Sequence, residues 1–225
     1  MQAVAIIVAW LDAPAFWIAG VPCSWAEALG AVTGVACVWL LARQNVWTWP
    51  VGLANNVFWL LLFFRARLYA DSALQVVFFG LGVYGWWCWV RPRRASHPAL
   101  AVRRARPRER WLGPLVVALA TAPIALGLAR ATDSPAPLAD AAVLTMSIAA
   151  TWGQAQKILE SWWIWIAVDV ISVPLYVSRG LHPTALVYAG FGALCVLGLR
   201  RWSADLAAQR AHAAAASAEA RAEAA

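Results

Sequence analysis

The chain has 225 residues, of which 63% are hydrophobic and only 13% charged, and it carries a net charge of +7. A soluble domain holds roughly a quarter charged residues, so an ordinary soluble globular domain is excluded. The positive balance does not indicate a nucleic-acid binder either. Seventeen of the eighteen basic residues are Arg, Lys157 being the exception, and they sit in short segments beside apolar runs, where basic residues set membrane topology.

Residues 1–24 open with a short apolar run over positions 3–11, interrupted by Asp12 and Pro14 and lacking a basic leader. This pattern suits an N-terminal interfacial or partly inserted segment, with an extra span as the alternative, better than a cleaved secretory signal. Seven apolar spans follow, at 25–42, 47–64, 70–90, 111–129, 137–156, 161–178 and 184–200, separated by charged or Pro/Gly punctuation. Each approaches the ~20 residues needed to cross a bilayer as a helix. Helix is the form expected, because backbone groups in lipid must be satisfied within the segment. The fold class is therefore an all-α polytopic membrane protein. Its expected organisation is a first triple-helix bundle at 25–90, a basic cytoplasmic loop at 91–110, a linker helix at 111–130, a second triple-helix bundle at 136–202 and a cytoplasmic tail at 203–225.

The basic residues assign the sides. The loop after the third span holds Arg91, Arg93, Arg94, Arg103, Arg104, Arg106, Arg108 and Arg110, and on the same side lie Arg43, Lys157, Arg200, Arg201, Arg210 and Arg221. The opposite side has Arg65, Arg67, Arg130 and Arg179. By the positive-inside rule the richer side is cytoplasmic, so the helical core begins outside and the C-terminus lies inside the bacterial inner membrane. Trp47, Trp49, Trp86, Trp87, Trp89, Trp111, Trp162, Trp163, Trp165 and Trp202 fall near the cytoplasmic ends, as an interfacial aromatic belt would place them. The Ala-, Glu- and Arg-rich tail reads as a solvated appendage.

The two halves of the chain repeat. At an offset of 113 positions Glu27 meets Asp140, Trp39 meets Trp152, Trp49 meets Trp162, Asn56 meets Asp169 and Tyr69 meets His182. One residue less aligns Phe79-Gly80 with Phe191-Gly192. A single linking helix gives both units the same orientation, which is the parallel-repeat plan of many carriers, with a midplane site between the units.

Asp169, in the middle of the sixth span, is the sharpest chemical signal. A carboxylate at the centre of a helix costs about 2.5–3.5 kcal/mol on insertion scales, so it faces either a cavity or a structural hydrogen-bond partner such as Tyr188 or Thr145. Asn56 holds the equivalent depth in the second span, beside Asn55, with binding and interhelix hydrogen bonding equally open to it. Ser172 shares the face of Asp169, and Gln75 lies in the outer half of the third span. Pro174 should kink or weaken the sixth helix, and Gly80, Gly82 and Gly85 permit close helix contact. Three scattered histidines, four separated cysteines and the absence of a nucleotide-binding loop give no catalytic or metal-ligating pattern. No enzyme activity, cofactor or metal is expected.

The segments Trp49-Pro-Val-Gly-Leu-Ala-Asn55-Asn56, Leu68-Tyr69-Ala-Asp71-Ser-Ala-Leu-Gln75, Tyr84-Gly85-Trp86-Trp87-Cys-Trp89 and Glu160-Ser-Trp162-Trp-Ile-Trp165-Ile-Ala-Val-Asp169-Val-Ile-Ser172 together resemble the PnuC vitamin transporters over residues 25–202. That resemblance implies a three-plus-one-plus-three architecture similar to SWEET sugar transporters. It also implies facilitated diffusion of a vitamin, nicotinamide riboside first, with thiamine or another vitamin as the alternative. The implied site comprises Asp169, Asn56, Gln75, Trp162, Trp165, Ser172 and Tyr188. An aromatic face and a carboxylate suit a cationic ring, and amides and hydroxyls suit a ribose. The partners expected are the small-molecule substrate and membrane lipid, with no nucleic acid; assembly into a homo-oligomer is left open.

Overall fold

The structure, a computed structural model, describes residues 13–18, 21–65, 69–91, 100–132, 134–180 and 182–223. Within the N-terminal segment, residues 1–12 lie outside the described set. Residues 19 and 20 lie outside it as well, and β1 (Pro14–Ile18) pairs antiparallel with β2 (Val21–Ser24), a small departure from an all-helical chain. Pro14 and Pro22 disfavour helix here, and the Trp25 amide donates to Ala13 O to join the strand pair to the first helix.

Among the described residues seven helices follow: α1 (Trp25–Ala42), α2 (Thr48–Arg65), α3 (Tyr69–Val90), α4 (Pro107–Ala131), α5 (Pro137–Ala155), α6 (Ser161–Ser178) and α7 (His182–Glu223). Two differ materially from the hydropathy reading. α4 begins four residues early, because Pro107 occupies its first turn and Glu109 accepts the Arg106 amide at 2.7 Å. Such caps lie outside any hydrophobic window. α7 runs 42 residues, straight through the tail, where Ala, Arg and Glu have high helix propensity. α6 continues through Pro174 without interruption. By length and composition α4, α6 and most of α7 can cross a membrane. Residues such as Leu61, Leu115, Leu119, Val170 and Leu186 turn outward, as lipid-facing side chains do.

Neighbouring helices pack in the order α1–α2–α3–α5–α6–α7 and back to α1, closing a six-helix ring, while α4 lies against α5. The Thr121 and Thr145 hydroxyls, 2.7 Å apart, tie α4 to α5. Exchanging α1 with α5, α2 with α6 and α3 with α7 maps this contact pattern onto itself. The same exchange is visible in fine detail at one end of the ring. α1 and α5 both stop in a Schellman turn: Gln44 and Asn45 donate to Leu41 O and Leu40 O, and Lys157 and Ile158 donate to Gln154 O and Gly153 O. Gln44 and Lys157 are the left-handed residues of these turns, at φ 54° and 50°, and they stand 113 positions apart.

The principal buried cluster sits at this end, comprising Leu41, Ala42, Val102, Leu159, Trp162, Cys195 and Trp202. Part of the expected basic loop is thus an ordered strap. Arg103 forms backbone hydrogen bonds with Lys157 and Leu159 across the α5–α6 turn, its amide donating to Lys157 O and its carbonyl accepting from the Leu159 amide. Glu160 accepts the Ala105 amide at 2.8 Å, and Val102 is driven into the cluster.

Candidate functional site

α6 carries a stripe of Trp162, Trp165, Asp169 and Ser172, whose spacing of three, four and three places all four on one helical face. Trp162, Asp169 and Ser172 are buried and Trp165 is half-buried. Opposite them α7 supplies small residues: a Cβ on Gly192 would stand 3.6 Å from Asp169 Cβ, and the Cys195 thiol lies beside the carboxylate. Among the described residues neither partner proposed for a purely structural Asp169 hydrogen-bonds to it, although Tyr188 lies within electrostatic reach of the carboxylate. Thr145 bonds Thr121 and the Ala141 carbonyl, and the Tyr188 ring packs on Tyr176 and Phe191.

Six buried side-chain nitrogen or oxygen atoms among the described residues lack a hydrogen-bond partner. Five are Trp49 Nε1, Trp162 Nε1, Trp165 Nε1, Asp169 Oδ2 and Ser172 Oγ; the sixth is Arg179 Nε. Leaving such a group unsatisfied costs about 1–3 kcal/mol each, and native interiors contain few of them. Four of the five lie on the single α6 stripe. The fifth, Trp49, is the repeat mate of Trp162 on α2.

The other expected site residues are placed apart. On α2, Asn55 takes the interhelix role, donating to Gly30 O at 3.0 Å and Thr33 Oγ1 at 2.7 Å. Asn56 is half-buried, and so is Gln75 on α3. No hydrogen bond joins either to the α6 stripe among the described residues. Asn56 and Asp169 nevertheless occupy matching heights on α2 and α6, which lie opposite each other in the ring.

The sequence reading missed the aromatic floor of the site. Trp49 and Trp89 meet edge-on at 5.5 Å, and Trp162 and Trp202 at 5.4 Å. Trp49 lies over Gly85 and Trp162 over Gly198, where an added Cβ would come within 2.2 and 2.4 Å of the rings. Trp89 Nε1 donates to Gln154 O and Trp202 Nε1 to Leu41 O, both at 3.3 Å, and the Trp89 and Trp202 rings meet at 6.4 Å. Each of these pairs obeys the 113-residue offset, which was the signal available in the sequence. The tryptophans therefore divide: Trp47, Trp87, Trp111 and Trp163 are exposed as a belt requires, while Trp49, Trp162 and Trp202 are buried packing residues. Of the glycine series, Gly85 and Gly82 lie against side chains and Gly80 faces open space.

Beside the floor, Lys157 Nζ lies 4.5 Å from the Trp89 ring centre and donates to Gln44 Oε1 at 2.8 Å; Gln44 Nε2 in turn donates to Asp205 Oδ2 at 2.6 Å. Burial pushes the Lys157 ammonium below its ordinary range, and Asp205 pulls it part of the way back. At the other end of the ring Arg179 Nη2 pairs with both oxygens of Asp140 at 2.8 and 2.9 Å.

A family model described as nicotinamide mononucleotide transporter matches residues 24–204. The riboflavin/roseoflavin transporter RibM of Streptomyces davaonensis is 32% identical over 199 residues, covering 86% of this chain and 91% of the relative. The nicotinamide riboside transporter PnuC of Escherichia coli is 28% identical over 207 residues, covering 81% and 87%. A crystal structure of the vitamin B3 transporter PnuC superposes with a TM-score of 0.64 at 20% identity, over 90% of this chain and 85% of that one, a likeness of fold.

Proposed function

The chain belongs to the nicotinamide mononucleotide transporter family, and from that premise we propose that it carries a vitamin-type nucleoside, nicotinamide riboside first, by facilitated diffusion. The observation that carries this reading is the stripe of unsatisfied buried atoms on α6. Two indole N–H donors and a hydroxyl on the stripe, with the Trp49 indole of α2, would be satisfied by an oxygen-rich ligand, and a lone carboxylate oxygen by a donor or a positive charge. Nicotinamide riboside offers a cationic ring, for which the Asp169 carboxylate and an indole face are suited, together with ribose hydroxyls and a carboxamide for the remaining groups. Asn56 and Gln75 would close on the ligand from the facing half of the ring.

In this reading residues 25–90 and 136–202 are two triple-helix units, related by the exchange that maps the ring onto itself, and they rock about the midplane site. The end holding the aromatic floor is cytoplasmic, by the excess of fourteen basic residues against four. The protein moves its substrate unchanged and catalyses no covalent step.

Riboflavin is the second reading, favoured by the 32% identity to RibM. Its imide edge sets an N–H donor between two carbonyl acceptors, which also suits a carboxylate among indole donors. Calorimetric titration of the purified protein with nicotinamide riboside, riboflavin and thiamine decides among them, followed by uptake into liposomes. Nicotinamide riboside should bind and equilibrate. Binding and uptake of riboflavin alone would select the second reading, and binding of none would overturn both.

A further inference from the structure

Among the described residues three helices end in a left-handed turn. α6 uses Gly180 there, at φ 73°, as helix C-termini commonly do. α1 and α5 instead use Gln44 and Lys157, although an L side chain in this conformation is disfavoured by roughly 1–2 kcal/mol. The two disfavoured side chains are bonded to each other: Lys157 donates to Gln44, and Gln44 to Asp205 of α7. This relay passes from one half of the ring to the other and back. Directly beside it, the Trp89 and Trp202 indoles also cross between halves, to the backbone of α5 and α1. The Tyr84 hydroxyl crosses as well, accepting from Gln156. Beneath this layer lies Cys195, 3% exposed and beside Asp169.

We propose that the Lys157–Gln44–Asp205 relay is a latch that holds the two halves together at the end carrying the α7 extension, and that it must part before the site can open on that face. The inference rests on the reading of the protein as an alternating-access carrier. The paired indole bonds supply a symmetric seal, equal for both halves. The relay is its asymmetric part: the position 113 residues before Asp205 is Pro92, which has no side-chain acceptor. Hydrogen-bond donors and acceptors therefore occupy two turns where glycine would satisfy the backbone alone, and breaking them frees the halves without removing any packed ring.

Cys195 serves as the reporter, in a variant with Cys23, Cys37 and Cys88 replaced by Ala. A membrane-impermeant maleimide is added to one face or the other of sealed vesicles, with no vitamin present, so a wrong substrate assignment leaves the measurement intact. Gln44→Gly removes the relay yet gives the turn the residue it favours, so its melting temperature should hold or rise. Lys157→Met keeps the apolar stem over Trp89 and removes the donor. Both should raise Cys195 labelling from the α7-extension face by roughly tenfold or more, the population shift expected for losing a hydrogen bond with one charged partner, and leave labelling from the other face unchanged. The latch is overturned if labelling stays at the parent rate in both variants, if it rises equally from both faces, or if it rises only in step with a falling melting temperature.

Discussion

Asp169 was legible in the sequence because a carboxylate amid apolar residues has few innocent explanations; the structure adds that one of its oxygens is buried and unpartnered. Asp169→Asn is expected to fold normally, since the amide is isosteric and less demanding to bury. It should bind nicotinamide riboside roughly tenfold to a hundredfold more weakly, the loss of a charge-assisted hydrogen bond worth about 1.5–3 kcal/mol. Calorimetry and thermal melting on the same preparation test this, and lower stability with unchanged affinity would remove Asp169 from the site. The aromatic floor was not legible in the same way, because a Trp near a helix end satisfies a belt and a packed core equally. Gly85 and Gly198 now separate the two roles. Gly85→Ala and Gly198→Ala each force a methyl into an indole ring, and overpacking of this kind costs about 1–3 kcal/mol. Both should lower the melting temperature by similar amounts, whereas Gly80→Ala, facing open space, should hold or raise it. A neutral Gly198→Ala would contradict the close packing of Trp162 on α7.

At the scale of elements, the helices followed from apolar length, and α1 and α6 have the bounds of the predicted spans. The misjudged ends are those where hydropathy and helix formation part company: α4 starts at a polar capped turn, and α7 outlasts its apolar stretch. Neighbour order was beyond the sequence, because helices that are apolar all round do not declare which face meets which partner. The strap at residues 100–106 was hidden for a related reason, since one buried Val among many arginines reads as loop. Its docking has a direct test. Val102→Asp would bury a carboxylate against Trp162 and Trp202 without a partner and should destabilise by more than about 2 kcal/mol. Ala101→Asp, one position earlier and exposed, should be neutral in the same melting experiment. Equal effects would show that the strap is not anchored through Val102.

For the whole molecule, the ring and its twofold exchange make two expectations concrete. Reporter fusions after Arg94 and after Ala225 should both report cytoplasm; a periplasmic signal from either would reverse the orientation. Liposomes supplied with substrate but with neither ATP nor an ion gradient should equilibrate it and stop, and accumulation driven by a proton or sodium gradient would replace uniport with coupled transport. The length of α7 has a consequence of a different kind. At ~1.5 Å per residue a helix needs about 20 residues to cross the hydrocarbon layer, and α7 has 42. Its second half therefore stands off the ring as a mast on the order of 30 Å tall, continuous with the helix that carries Gly192, Cys195 and Trp202. A bulky protein joined in helical register to the end of that mast would be held at a set angle and height. It would provide an orientation marker for electron microscopy of a particle otherwise almost wholly buried in detergent, and any tilt of α7 during transport would be magnified at its tip.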